Sequence, residues 1–178
     1  MSQQATTLFI DPDGYRLGLV ERGRGSIIDL SVQGNGDGQG TADWHELAKA
    51  IREACRQSRY TGNELMLALP SSWCLCATIR IDDLPRRGRR EAMVYRLEDY
   101  LPVAAESAVM DFTGASDEVL GVAVALDKLQ PLIEPLESAG FAIRSITPSA
   151  LWELHATGEL AGAHHRWLAY QRFGSIEL

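Results

Sequence analysis

The chain has 178 residues, with 17 Lys plus Arg against 24 Asp plus Glu and three cysteines, which describes a globular unit of one or two small domains. Its formal charge of −7 argues against a general nucleic-acid binder, because that class needs a basic field to attract phosphates. Since no apolar run approaches the ~20 residues of a spanning helix and the start lacks a signal-peptide pattern, we expect a cytoplasmic location.

The first part of the chain predicts a small sheet with one covering helix. Three strands are expected, at 6–10, 15–22 and 26–32. Asp-Pro-Asp-Gly at 11–14 forms the first turn between them. Residues 43–58 have apolar side chains at helical spacing, with Asp43 as the cap. Residues 64–69 are apolar on both faces and predict a central strand parallel to the first.

From residue 73 to residue 146 the pattern changes to a second unit of order βαββαβ. Its strands are expected at 74–81, 108–113, 118–126 and 142–146. The first helix, at about 89–101, turns an apolar face inward that consists of Met93, Leu97, Tyr100 and Leu101. The second is capped by Asp127 and ends at Gly140, and we expect Pro131 and Pro135 to bend or fray it. A short helix from Pro148 to about Thr157 and a strand at 167–172 follow.

This order predicts an α/β protein: the first half of a ribonuclease-H-like, actin-like ATPase fold with an inserted α+β subdomain. Residues 1–72 and 147–165 form subdomain 1A, and residues 73–146 form the insertion. Residues 166–178 begin a second half, so we expect the chain to be the front part of a longer protein.

Three runs carry a more specific resemblance. They are LALPSSWCLCATIRIDDLP, the helix REAMVYRLEDYLPVAAESAVMDF, and GVAVALDKLQPLIEPLESAGFAIRSITPSALWELHA. In this order and spacing, over roughly residues 6–178, the chain resembles the pilus-assembly protein PilM and the cytoplasmic region of the type II secretion protein GspL.

The resemblance implies a function as an adaptor without catalysis. Proteins of these families link a cytoplasmic assembly ATPase to inner-membrane components of a secretion or pilus machine. The expected partners are therefore that ATPase and the platform proteins, at the cytoplasmic side of the bacterial inner membrane. No nucleic-acid partner and no cofactor are expected, whereas a homodimer, and the choice between secretion and pilus assembly, stay open.

The resemblance also places a degenerate nucleotide site at the first turn. The actin-like pattern has a glycine two residues after an aspartate, which lets backbone amides approach the phosphates. Asp11 stands at the aspartate, but Asp13 replaces the glycine, and Gly14 follows it. In the second phosphate loop, Tyr170 and Arg172 take the positions of the aspartate and the glycine. We therefore expect no ATP hydrolysis, and a plain hairpin turn is the simpler interpretation of residues 11–14.

Two enzymatic alternatives remain open at this point. One is a sugar-kinase-like phosphotransferase of the actin fold, with Asp11 holding the metal. The other is a ribonuclease-H-type nuclease, in which Asp11 joins Glu64, Asp111 or Asp117 in a two-metal site. Solvated turn carboxylates are the simpler interpretation of these acids.

Cys74 and Cys76 lie two residues apart on a predicted strand and so point to one face. No histidine stands at ligand spacing to them, so we predict no metal site and interpret both as small residues of the core.

The sequence Arg86-Arg87-Gly88-Arg89-Arg90 puts four of the 17 basic residues into five positions. Positive charge at a helix start opposes the macrodipole, so a start after this run is the alternative to the start at about residue 89. The run is either a solvated loop paired with Glu91, Glu98 or Asp99, or a contact patch for an acidic partner or lipid headgroups.

Overall fold

The computed structural model describes residues 4–11, 14–21, 24–30, 43–114, 117–151, 170–172 and 175–177. The chain divides into two compact units, residues 1–71 with 132–178 and residues 72–131. Among the described residues, no helix combines the length and apolar character that a membrane crossing requires.

The first unit is built on a five-stranded sheet. Its strands are β1 (Gln4–Asp11), β2 (Gly14–Glu21), β3 (Arg24–Leu30), β4 (Glu64–Leu69) and β8 (Ala142–Pro148), in the order β3-β2-β1-β4-β8. The first three form an antiparallel meander, and β4 runs parallel to both β1 and β8. The predicted meander and the predicted central strand are thus confirmed.

Helix α1 (Trp44–Gln57) begins where the sequence predicts. The Asp43 carboxylate accepts hydrogen bonds from the backbone N–H groups of His45 and Glu46, at 3.0 and 3.2 Å. The apolar stripe of α1, including Leu47 and Ile51, is fully buried. The cap and the amphipathic face together explain this helix.

Helix α3 (Leu126–Ser138) leads into β8. It begins before Asp127, which therefore lies in the first turn and is not the cap. The helix continues through Pro131 and Pro135. It ends as predicted at Gly140, whose φ is +83°, and the backbone N–H of Phe141 donates to the Leu136 carbonyl in the manner of a Schellman motif.

The inserted unit contains a three-stranded antiparallel sheet and one helix. Its elements are β5 (Cys74–Arg80), α2 (Arg89–Glu98), β6 (Ala108–Thr113) and β7 (Glu118–Ala125), and the strand order is β5-β7-β6. The core lies on the face that carries Ile79, Met110 and Val119, and Leu97 of α2 is fully buried in it. Gly121 on β7 allows this approach, since a Cβ there would lie 2.7 Å from the Leu97 methyl carbons.

The insertion is shorter than the predicted 73–146. The strand at 142–146 was expected to close the second unit, but β8 pairs in parallel with β4, with Glu64 opposite Ala142. The reason is topological: a strand, a helix and a parallel neighbouring strand form the favoured right-handed crossover. Strand pattern alone does not say which sheet receives such a strand.

Two predictions for the end of the chain fall partly outside the described residues. Ser149 to Leu151 are helical, whereas Pro148 still belongs to β8, and residues 152–169 are not described. The predicted strand at 167–172 overlaps β9 (Tyr170–Arg172), which pairs antiparallel with β10 (Ser175–Glu177).

Candidate functional site

The predicted phosphate turn is the connection between β1 and β2. Asp11 and Gly14 face each other as the last pair of this hairpin. A Cβ at Gly14 would meet no atom within 4 Å. The structure describes only the backbone of Asp11, and Asp13 lies outside the described residues. The proposed degeneracy of this turn therefore remains a prediction from the sequence.

This turn lies at the carboxyl ends of the parallel strands, beside the start of α1. Tyr15, the residue after Gly14, places its ring edge-to-face against Trp44, with ring centroids 6.0 Å apart. Burial raises the pKa of Tyr15. The pair joins the hairpin to the helix, a contact that the sequence analysis did not anticipate because the two residues belong to separate elements.

The four arginines of residues 86–90 do not act alike. Arg89 donates to the Leu84 carbonyl at 3.3 Å. Arg90 forms an ion pair with Asp111 at 3.0 Å, and its guanidinium lies 6.0 Å from the centroid of the Phe112 ring. These two side chains thus hold the loop before α2 and the strand β6 in place.

Arg86 and Arg87 are exposed. Within the described part of the chain neither forms a hydrogen bond or an ion pair. The expected pairing of the run with Glu91, Glu98 or Asp99 is not found there; Asp111 is the carboxylate that pairs with it. Arg86 and Arg87 are therefore the arginines of the predicted patch whose side chains remain available to a partner.

The arginine run also overlaps the start of α2. The helix begins at Arg89, inside the run, which agrees with the predicted range of about 89–101, and the alternative start after the run is not found. Gly88 occupies the N-cap position in the left-handed region (φ 68°), and no side chain caps the helix. A cavity of about 620 Å³ beside it is lined by Asp82, Leu84, Arg86, Arg89 and Asp117. The lining of this cavity therefore contains two carboxylates and two guanidinium groups.

The acids proposed for a nuclease do not come together among the described side chains. Glu64 pairs with Arg144 at 2.7 Å on the first unit, and Asp111 pairs with Arg90 on the insertion. Where side chains are described, no three metal-ligating residues are close enough to share an ion.

The two strand cysteines are not core residues. Cys74 is half-buried and Cys76 is exposed. They point to the same side of β5, as predicted, but the core of the insertion lies on the opposite side, with Ile79. The alternation of side chains along a strand correctly predicts that both cysteines lie on one face of β5. It does not predict which face packs against the core.

A second concave site lies on the first unit, between α1 and the carboxyl end of α3. It has a volume of about 840 Å³, and Arg52, Tyr60 and Phe141 are among the residues that line it. Cys55 also lines the groove, and burial raises the pKa of its thiol, an effect that the nearby charge of Arg52 opposes. The sequence does not predict this groove, because the groove forms only where α1 and the end of α3, which are distant in sequence, come together.

No protein-family model and no curated protein matches the sequence. Among solved structures, the chain is similar to the PilM-PilN type IV pilus biogenesis complex, with a TM-score of 0.70, 18% identity, and coverage of 88% of this chain and 50% of that one. It is also similar to the cytoplasmic domain of EpsL, an inner membrane component of the type II secretion system of Vibrio cholerae. That match has a TM-score of 0.59, 15% identity, and coverage of 82% of this chain and 57% of that one.

The chain has the fold of EpsL and PilM. This likeness confirms the resemblance to GspL and PilM and the actin-like ATPase fold predicted from the sequence. The chain spans about half the length of the structures it matches.

Proposed function

We propose that the chain is an adaptor without catalytic activity in the inner-membrane platform of a type II secretion or type IV pilus machine. In this role it couples the cytoplasmic assembly ATPase to membrane components. The observation that carries the proposal is the fold shared with the PilM-PilN complex over 88% of the chain. The similarity to an inner membrane component of a secretion system supports it.

The surface of the insertion supports a binding role through its exposed cations. Arg86 and Arg87 form no hydrogen bond or ion pair with any described residue, and both are exposed. Tyr95 and Tyr100, on and just after α2, are exposed by 68% and 61%. Arginine and tyrosine are enriched in protein interfaces and among the residues that dominate their binding energy. We propose that these four exposed residues of the insertion, Arg86, Arg87, Tyr95 and Tyr100, contact the partner, and we call them the partner patch.

The test is quantitative capture of the cognate assembly ATPase and of the cytoplasmic segments of the platform proteins by the immobilised chain. We expect the double change Arg86→Glu with Arg87→Glu to weaken capture by about tenfold, equivalent to about 1.4 kcal/mol. The melting temperature should stay within about 2 °C, because exposed substitutions away from structural contacts change stability little.

Arg59→Glu is the matched control, since Arg59 is an exposed arginine outside the partner patch. It should capture each partner as the unaltered chain does. Equal capture by the double variant would remove the partner patch from the proposal. If the unaltered chain captures neither the ATPase nor any platform segment, the adaptor function itself is wrong.

A further inference from the structure

One side of α1 carries a basic stripe along the groove between α1 and α3. It consists of His45, Lys49, Arg52 and Arg56, all of which line the groove. Their spacings of four, three and four residues place them on the same side of a helix. The stripe stands out in a chain whose formal charge is −7.

Two cations of this stripe are already neutralised. The Lys49 ammonium lies 2.6 Å from the Glu46 carboxylate. Arg56 donates two hydrogen bonds to Glu53, at 2.7 and 2.8 Å. Neither of these groups therefore offers a free charge to a ligand.

Arg52 differs from both, because no described carboxylate pairs with it. Its guanidinium lies 5.0 Å from the centroid of the Phe141 ring. A Cβ at Gly140 would contact the guanidinium, so the glycine leaves the space that the group occupies. The ring and the glycine thus fix the position of Arg52 while its hydrogen-bond donors remain available, which suits bidentate recognition of a carboxylate.

The opposite wall of the groove carries no counter-charge. It is formed by Pro135, Ser138, Ala139 and Phe141. The lining includes one carboxylate, that of Glu53, which Arg56 already holds. The described groove therefore has one unpaired cation, Arg52, on the α1 wall and no charged side chain on the opposite wall.

We infer that this groove binds an acidic segment of a partner protein. A carboxylate of that segment binds the guanidinium of Arg52, and an adjacent apolar side chain packs against the wall formed by Pro135 and Phe141. A volume of about 840 Å³ accommodates a few side chains rather than a folded domain. The inference rests on the proposed function only for the identity of the partner.

The end of the groove at Phe141 lies away from the predicted nucleotide turn. Asn63 and Phe141, which line this end, immediately precede β4 and β8. They therefore lie at the amino ends of these parallel strands, whereas the turn after Asp11 lies at the carboxyl ends. The groove extends along α1 from there to His45, in the first turn of the helix.

The experiment uses overlapping 15-residue peptides that cover the cognate assembly ATPase and the cytoplasmic segments of the platform proteins, with affinity measured by fluorescence anisotropy. We expect the bound peptides to be acidic. Their affinity should fall by about fivefold between 50 and 300 mM NaCl, because an exposed ion pair is screened by salt. Arg52→Glu should weaken binding at least tenfold, and Arg52→Lys should retain part of it. Arg59→Glu, which reverses a charge outside the groove, should bind as the unaltered chain does.

Three outcomes would overturn the inference. In the first, the bound peptides are not acidic, or Arg52→Glu binds them as well as the unaltered chain does. In the second, no peptide binds, although the intact partners are captured equally by the chain and by Arg52→Glu; the adaptor function then survives without the groove. In the third, Arg52→Glu abolishes only self-association, measured by sedimentation, and the occupant is a second copy.

Discussion

At the scale of single residues, Gly62 shows how one missing side chain permits local packing. A Cβ at this position would lie 2.6 Å from the Tyr60 ring and from its hydroxyl oxygen. Tyr60 is only 7% exposed, so its ring has little room to move away. Any residue larger than glycine must therefore displace buried atoms.

We expect Gly62→Ala to destabilise the chain by about 1–3 kcal/mol, the usual cost of overpacking. Each kcal/mol lowers the melting temperature by about 2–4 °C in a chain of this size. Urea unfolding measures the change. Gly14→Ala is the control, because a Cβ at Gly14 meets open space. Equal stability of the two variants would contradict the steric argument.

Glu53 is the residue whose titration should be visible in stability. Hydrogen bonds from Arg56, and then from Gln57, lower its pKa from 4.5 to about 2. A carboxyl whose pKa is depressed by folding stabilises the folded state above its unfolded pKa. That contribution is lost as the pH falls through the folded value.

We therefore expect the difference in unfolding free energy between the chain and Glu53→Gln to be constant near neutral pH. It should shrink as the pH falls from 4.5 towards 2, the interval between the two pKa values. Because the pair is exposed, added salt should reduce the difference. A difference that does not change between pH 5 and pH 3 in urea titrations would show that the ion pair adds nothing in solution.

At the scale of elements, α1 depends on the cap at Asp43. The carboxylate accepts from two backbone N–H groups that have no partner within the helix. We expect Asp43→Ala to cost about 0.5–2 kcal/mol, measured as a shift of the urea midpoint at unchanged slope. Asp43→Asn retains an accepting oxygen and should lose much less. A loss of equal size in both variants would point to charge rather than capping.

The elements of this fold were largely predictable, because most of them carry a local signal. Asp43 before an apolar stripe marks α1, and Gly140 marks the end of α3. The place of β8 was not predictable, because its partner β4 lies before the insertion and its own sequence gives no information about that distant strand.

Tyr100, just after α2, shows a second limit of prediction from the spacing of apolar residues. Tyr100 was expected to share the buried face of Leu97, yet it is 61% exposed. The regular helix ends at Glu98, so helical spacing no longer applies two residues later. The pairing of Arg90 with Asp111 was not predictable for a similar reason, because Asp111 belongs to a strand that is distant in sequence.

At the scale of the whole molecule, the shared fold raises the question of nucleotide binding. We expect calorimetric titration with Mg-ATP to give no dissociation constant in the micromolar range, and no hydrolysis. The resemblance to the actin-like pattern implies that a polyphosphate would approach positions 11 and 13, where the sequence has two aspartates, and like charges repel.

Asp13→Gly provides a matched comparison, because it removes one charge and restores the glycine of the actin-like pattern. If the turn is what excludes the nucleotide, this variant should bind Mg-ATP more tightly than the unaltered chain does. Micromolar binding by the unaltered chain would contradict the expectation, and so would release of inorganic phosphate above the background rate.

The pairing of β8 with β4 across the insertion has a consequence for synthesis on the ribosome. The edge of β4 emerges long before β8 exists to cover it, and an uncovered strand edge is a site of aggregation. During that interval the edge of β4 lacks the strand that pairs with it in the finished chain. Deletions that retain β4 but stop before residue 142 should therefore yield inclusion bodies rather than a smaller folded product.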